Sequence, residues 1–90
     1  MAKVCVHAYV SGKVQGVWYR QSTKEQALAQ GVTGWAKNLA DGRVETLLCG
    51  DEEAVNRVRD WLHEGPELAV VEAVQATQVA YRELKGFVTG

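Results

Sequence analysis

Ninety residues leave room for one hydrophobic core and not two, and 47% hydrophobic against 23% charged residues is the balance of a globular domain. Ten basic against eleven acidic side chains give a net charge of −1, without the basic surplus typical of a nucleic-acid binder. No apolar run approaches the ~20 residues of a membrane helix, and the N-terminal segment is too short and polar for a secretory signal, so the expected location is the cytoplasm.

Residues 4–10 alternate strictly, with Val4, Val6, Ala8 and Val10 on one face and Cys5, His7 and Tyr9 on the other. That pattern predicts a strand with its valine face on the core. Gly12 and Gly16 punctuate a loop, and a helix follows over Gln21–Gln30, stopped by Gly31. Its apolar stripe is thin, mainly Ala27 and Leu28. Val32–Asn38 and Arg43–Cys49 read as two strands of a hairpin turned at Asp41-Gly42. Asp51 is placed to cap a second helix, with Glu52 and Glu53 in its first turn. Ala54, Val55, Val58, Trp61 and Leu62 form the helix's apolar stripe, and Gly65-Pro66 ends it. Val70–Val79 is strand-prone, Tyr81–Gly86 reads as a loop, and Phe87-Val88 as a short last strand.

The order β-α-β-β-α-β predicts an α+β fold, a single domain over 1–90. It is the ferredoxin-like split β-α-β sandwich, an antiparallel sheet with two helices on one face. In that arrangement the first and second strands run parallel with the third between them. Their C-terminal ends then lie at one edge of the sheet, and the chemistry is sought there.

Ser11 to Arg20 connects a strand to a helix. Successive backbone amides in such a turn converge into a nest, and the helix start adds unpaired donors. Glycines let the chain curl around an anion, and the planar fork of Arg20 grips two phosphate oxygens together. This is no Walker loop, because no Gly-Lys-Ser/Thr follows, and a lone Gly-x-x-x-Gly more often marks a tight turn. Asn38 ends the second strand at the same edge. An asparagine beside a turn is more often a turn residue, yet its amide can also donate to and accept from a water.

The stretch Gly12-Lys13-Val14-Gln15-Gly16-Val17-Trp18-Tyr19-Arg20 resembles the signature loop of the acylphosphatases. Gly34-Trp35-Ala36-Lys37-Asn38-Leu39-Ala40-Asp41-Gly42-Arg43-Val44-Glu45 is similar to their second signature. Both stand in the family's order and separation, and the likeness extends along nearly the whole chain. It implies hydrolysis of carboxyl-phosphate anhydrides to a carboxylate and inorganic phosphate, and the expectation is a monomer that works without cofactor or metal. By this resemblance Arg20 and the amides of Val14, Gln15, Gly16, Val17 and Trp18 hold the phosphate, and Asn38 positions the attacking water. Family members commonly carry Phe where Tyr19 stands, and some carry a hydroxyl residue in place of Leu39. Neither departure touches Arg20 or Asn38.

The chemistry also stands on its own terms. The leaving carboxylate has a conjugate acid of pKa about 4, so it departs without protonation. One arginine, several amides and one water-orienting amide suffice for so activated a bond, but not for a phosphate monoester with its alkoxide leaving group.

The remaining residues have simpler readings. His7 is mid-strand and His63 complements a helix C-terminus, and no acidic cluster joins them into a metal site. Asp51, Glu52 and Glu53 are explained by capping. Trp35 and Trp61 serve as core or half-buried aromatics, whereas Trp18 either contacts the acyl group or packs beside the loop.

The two cysteines lack the C-x-x-C spacing of a zinc ribbon or redox pair. Some bacterial acylphosphatases are similar in carrying such a pair, and in a ferredoxin-like sheet Cys5 and Cys49 fall on facing strands with matching parity. A disulfide is expected in oxidised protein, although a reducing cytosol opposes it. A rival reading is a non-catalytic module, binding either RNA on the open sheet face or a small anion in the cradle. The RNA version wants exposed aromatics on the central strands, where Tyr9 stands alone in the first and third.

Overall fold

The computed structural model describes residues 2–90. Its elements are β1 (Lys3–Lys13), α1 (Tyr19–Ala29), β2 (Thr33–Asn38), β3 (Val44–Asp51), α2 (Glu52–Leu62), β4 (Val70–Val79) and β5 (Phe87–Thr89). The strands lie in the order β4-β1-β3-β2-β5. β3 pairs antiparallel with both β1 and β2, so those two run parallel and their C-terminal ends share an edge, as expected. The sheet is mixed rather than wholly antiparallel, because β5 pairs parallel with β2. That short strand returns beside β2 through the irregular segment 80–86, a connection the hydrophobic pattern does not specify.

The alternation in β1 does what its period dictates. Val4, Val6, Ala8 and Val10 join Val44, Leu48, Val55, Val58 and Leu62 in the core between sheet and helices. α2 presents Ala54, Val55, Val58 and Leu62 to that core. Asp51 occupies its N-cap position without a side-chain cap, and the Glu52 amide instead donates to the Ala2 carbonyl at 3.0 Å.

α1 departs from expectation in two ways. It begins at Tyr19, and its buried stripe is Tyr19, Thr23 and Ala27 at i, i+4, i+8, while Leu28 faces solvent. A threonine is admitted because its hydroxyl donates to the Tyr19 carbonyl at 2.7 Å. Tyr19 is buried to its hydroxyl, which donates to the Leu62 carbonyl at 2.7 Å and satisfies the end of α2. Burial pushes this phenol's pKa well above its ordinary range.

Gly12 lies within β1 rather than in the loop. The β1–β4 register shifts between Ser11 and Gly12, and Gly12 has φ +123 with a Cβ position only 2.1 Å from the Val70 carbonyl oxygen. Glycine is required there by a bulge that bends the strand toward the loop.

On the sheet face away from the helices, Cys5 and Cys49 lie directly opposite in the β1–β3 register and are joined in a disulfide. They pack with Leu47 under Trp35 and Leu84, and the Arg82 amide donates to the Cys5 sulfur at 3.4 Å. Further along this face His7 Nε2 meets Glu45 at 2.6 Å, and Lys37 reaches the same carboxylate at 3.4 Å. Partial desolvation raises the Glu45 pKa, but the His7 and Lys37 contacts outweigh it and hold the carboxyl below its usual range. Trp35 on β2 joins Tyr9 on this face, and both rings are occupied, by Lys37 at 5.1 Å and Arg43 at 4.5 Å respectively.

Opening the disulfide is expected to cost stability without costing turnover. A cross-link between positions 44 apart is worth about 4 kcal/mol in the chain-entropy model, and 2–4 kcal/mol is the usual range. The melting temperature should therefore fall by about 10–20 °C. The bridge lies about 26 Å along β1 from the strand's far end, so kcat should hold. Thermal melts and assays of the Cys5→Ser/Cys49→Ser variant, and of reduced protein, measure both quantities.

Candidate active site

Beyond Lys13 the chain leaves β1 and turns over the edge of the sheet before entering α1. Val14 and Val17 are buried in the main core, pinning the loop at two points, while Gly16 between them is exposed with φ +74. The left-handed backbone at Gly16 costs nothing because no Cβ is present. Trp18 repeats that conformation, with φ 66 and ψ 19, and is the only non-glycine residue with positive φ among the described residues. For a side chain of this size the conformation costs on the order of 1–3 kcal/mol. It persists because Val17 and Tyr19 on either side are both buried.

This local geometry leaves donors free. Among the described residues, the amides of Val14 to Trp18 make no turn or loop bond to a backbone carbonyl. The first helical bond of α1 runs from the Ser22 amide to the Trp18 carbonyl at 2.9 Å, so the amides of Tyr19, Arg20 and Gln21 precede it. Trp18 at the N-cap supplies no side-chain cap, and the first turn carries no acidic residue. A helix start of this kind keeps its positive end available to an anion.

Of the residues carrying these donors, Val14, Gly16, Trp18, Tyr19, Arg20 and Gln21 line a cavity of about 380 Å³ together with Thr89, while Gln15 and Val17 stand outside its lining. Arg20, in the first turn of α1, donates through one guanidinium nitrogen to the Gly90 carbonyl oxygen. The Gly90 amide in turn donates to the Ala36 carbonyl of β2 at 2.9 Å. The guanidinium has five N–H donors, so this anchor fixes the side chain and leaves others for a ligand.

Asn38 lies at the C-terminal end of β2, opposite Val44, and is exposed. By alternation it shares the face of Ala36, which packs in the core under the helices. The sheet thus brings Asn38 to the cradle's edge and face, but it stands outside the lining of the cavity itself. After it, Leu39–Arg43 makes the hairpin loop, closed by the Leu39 amide on the Arg43 carbonyl at 2.8 Å. Asp41 accepts from the Arg43 amide at 3.1 Å and from its guanidinium at 2.8 Å. These bonds hold the Asp41 carboxyl below its usual pKa.

Gln15 has a role that sequence reasoning misses. Its side-chain amide donates to the carbonyls of Leu39 at 2.8 Å and Arg43 at 3.0 Å, tying the cradle to the loop that follows Asn38. A polar residue in a loop carries no period or pairing signal, so nothing in its position announced the tie. Gln15→Ala is expected to cost about 1 kcal/mol in urea unfolding, a typical net value for lost hydrogen bonds. Gln15→Glu should cost more, about 2 kcal/mol, because its carboxylate would face two carbonyl oxygens with no proton to give.

His7 and His63 stand apart from this edge, His7 on the open face and His63 at the C-cap of α2. Among the described residues no three His, Cys, Asp or Glu side chains come together as a metal site. None of the described helices is long and apolar enough to cross a membrane.

Comparison with known proteins points to one family. The family model described as Acylphosphatase matches residues 6–89. An acylphosphatase of Hahella chejuensis is 61% identical over 74 residues, covering 82% of this chain and 79% of its own. One from Nitrosococcus oceani is 52% identical over 83 residues, covering 92% and 93%. The solved structure of an acylphosphatase from Coxiella burnetii superposes with a TM-score of 0.94 at 38% identity, covering 98% of this chain and 93% of that one.

Proposed function

The chain belongs to the acylphosphatase family, enzymes that hydrolyse acyl phosphates, and on that premise we propose that it works by direct, metal-independent attack of water on a cradled phosphoryl group. The observation that carries this reading is the convergence, around one cavity, of the Arg20 guanidinium with the backbone amides of Val14, Gly16 and Trp18, which among the described residues make no turn or loop bond to a backbone carbonyl. Arg20 and the amides of Val14, Gln15, Gly16, Val17 and Trp18 bind the phosphoryl oxygens, and the α1 N-terminus adds its dipole. Asn38 orients the attacking water from the adjacent strand end.

The water oxygen forms a bond to phosphorus as the bond from phosphorus to the acyl oxygen breaks. The carboxylate leaves with that electron pair, and the water's protons pass to the inorganic phosphate and solvent. Phosphoryl transfer asks mainly for positioning and for stabilisation of spread negative charge, both of which fixed donors supply. The leaving carboxylate needs neither an acid nor a metal. On this reading the enzyme acts as a monomer on small-molecule acyl phosphates and releases inorganic phosphate.

Hydrolysis of benzoyl phosphate in ¹⁸O-water with excess EDTA tests the reaction itself. Chelator-resistant turnover that places the heavy oxygen in inorganic phosphate is the expected result. Heavy oxygen in benzoate would mean attack at carbon and would overturn the mechanism, and loss of turnover to EDTA would overturn its metal independence.

A further inference from the structure

We propose that the Trp18 indole forms the acyl-side wall of the site and makes the enzyme prefer aromatic acyl phosphates over acetyl phosphate. The inference rests on the acyl phosphate reading above and adds a substrate class to it. Trp18 is 75% exposed, although it stands between two buried residues. The other two tryptophans have ring partners: Trp61 lies 5.7 Å from Tyr19, and Trp35 lies near both His7 and Lys37. The Trp18 indole enters no such pair among the described residues and instead lines the cavity beside Arg20.

The backbone explains why a side chain here matters. The loop requires a left-handed residue before α1 so that its amides converge, as at Gly16. Glycine would meet that requirement without strain, and asparagine with little. Tryptophan meets it poorly and leaves a large apolar ring in water. Neither feature helps the fold, so the ring's use lies in what enters the cavity.

The cavity also has room to spare. About 380 Å³ corresponds to about a dozen waters' worth of liquid volume, whereas a phosphoryl group places only a few heavy atoms there. Arg20 and the amides account for the polar end. Val14 and Trp18 give the wall an apolar part, against which a planar aromatic acyl group stacks and a methyl group gains little.

The test is the ratio of kcat/KM for benzoyl phosphate to that for acetyl phosphate, because any damage to the cradle affects both substrates and cancels. Wild-type enzyme is expected to favour benzoyl phosphate. In Trp18→Ala the ratio should fall about tenfold, the scale of one aromatic stacking contact. Trp18→Asn suits the left-handed backbone and lacks the ring, so it should show the same fall. Trp18→Phe should restore most of the ratio. An unchanged ratio in both ring-deleted variants, or no wild-type preference, overturns the proposal while leaving the hydrolase reading intact. Absence of turnover on either substrate by folded wild-type protein overturns both.

Discussion

Arg20→Ala is expected to lose phosphate binding and turnover together, with kcat/KM for benzoyl phosphate falling about 10³-fold or more. The size follows from where the guanidinium sits. It projects from the first turn of α1 into a cavity whose other lining residues, among them Gln21 and Thr89, are uncharged, so it is the one full positive charge in the lining. Its bond to the Gly90 oxygen, which is held on β2 through Ala36, presets its direction before substrate arrives. A preset charge gains from the transition state without paying for its own reorganisation. Ground-state phosphate uses the same fork, so inorganic phosphate should cease to inhibit at concentrations that inhibit the wild type. Arg20→Lys keeps the charge but not the planar fork, and should recover only part of the loss. Wild-type turnover in Arg20→Ala would remove Arg20 from the mechanism.

Asn38→Ala should behave differently, cutting kcat by about 10²–10³-fold while leaving inhibition by inorganic phosphate within about twofold of wild type. Asn38 is at the cradle's edge and on its face but outside the cavity lining, which suits a group that touches the incoming water rather than the phosphate. Its side-chain amide can accept from the water and donate to an adjacent oxygen, and alanine can do neither. The residue is exposed at a strand end, so its loss should not unfold the protein. Weakened phosphate binding with kcat unchanged would make it a phosphate ligand instead.

Much of this site was legible because two separate signals met at one edge. The valine alternation of β1 and the Asp41-Gly42 turn place the ends of β1 and β2 together through topology alone. The glycine-punctuated loop and Arg20 then supply the chemistry. Resemblance to the family's two signature stretches joined them, and the disulfide followed from strand parity once that fold was assumed. What stayed hidden depends on tertiary contact. Gln15 has the same sequence profile as any polar loop residue, and its double bond to Leu39 and Arg43 exists only once the hairpin loop folds beside it. The stripe of α1 is hidden from periodicity because Thr23 satisfies its hydroxyl within the helix, and Tyr19 does so on a carbonyl 43 residues away. Gly12 reads as a loop residue in the sequence because a bulge glycine and a turn glycine look alike until the register of β4 is known.

The central claim is that one group holds the phosphate and another directs the water, and the most direct measurement is inorganic phosphate inhibition alongside turnover in wild type, Arg20→Ala and Asn38→Ala. The account predicts that both variants lose turnover, that Arg20→Ala also loses phosphate inhibition, and that Asn38→Ala retains it. Equal loss of phosphate inhibition in both variants, or phosphate inhibition kept in folded Arg20→Ala, would contradict that division of labour.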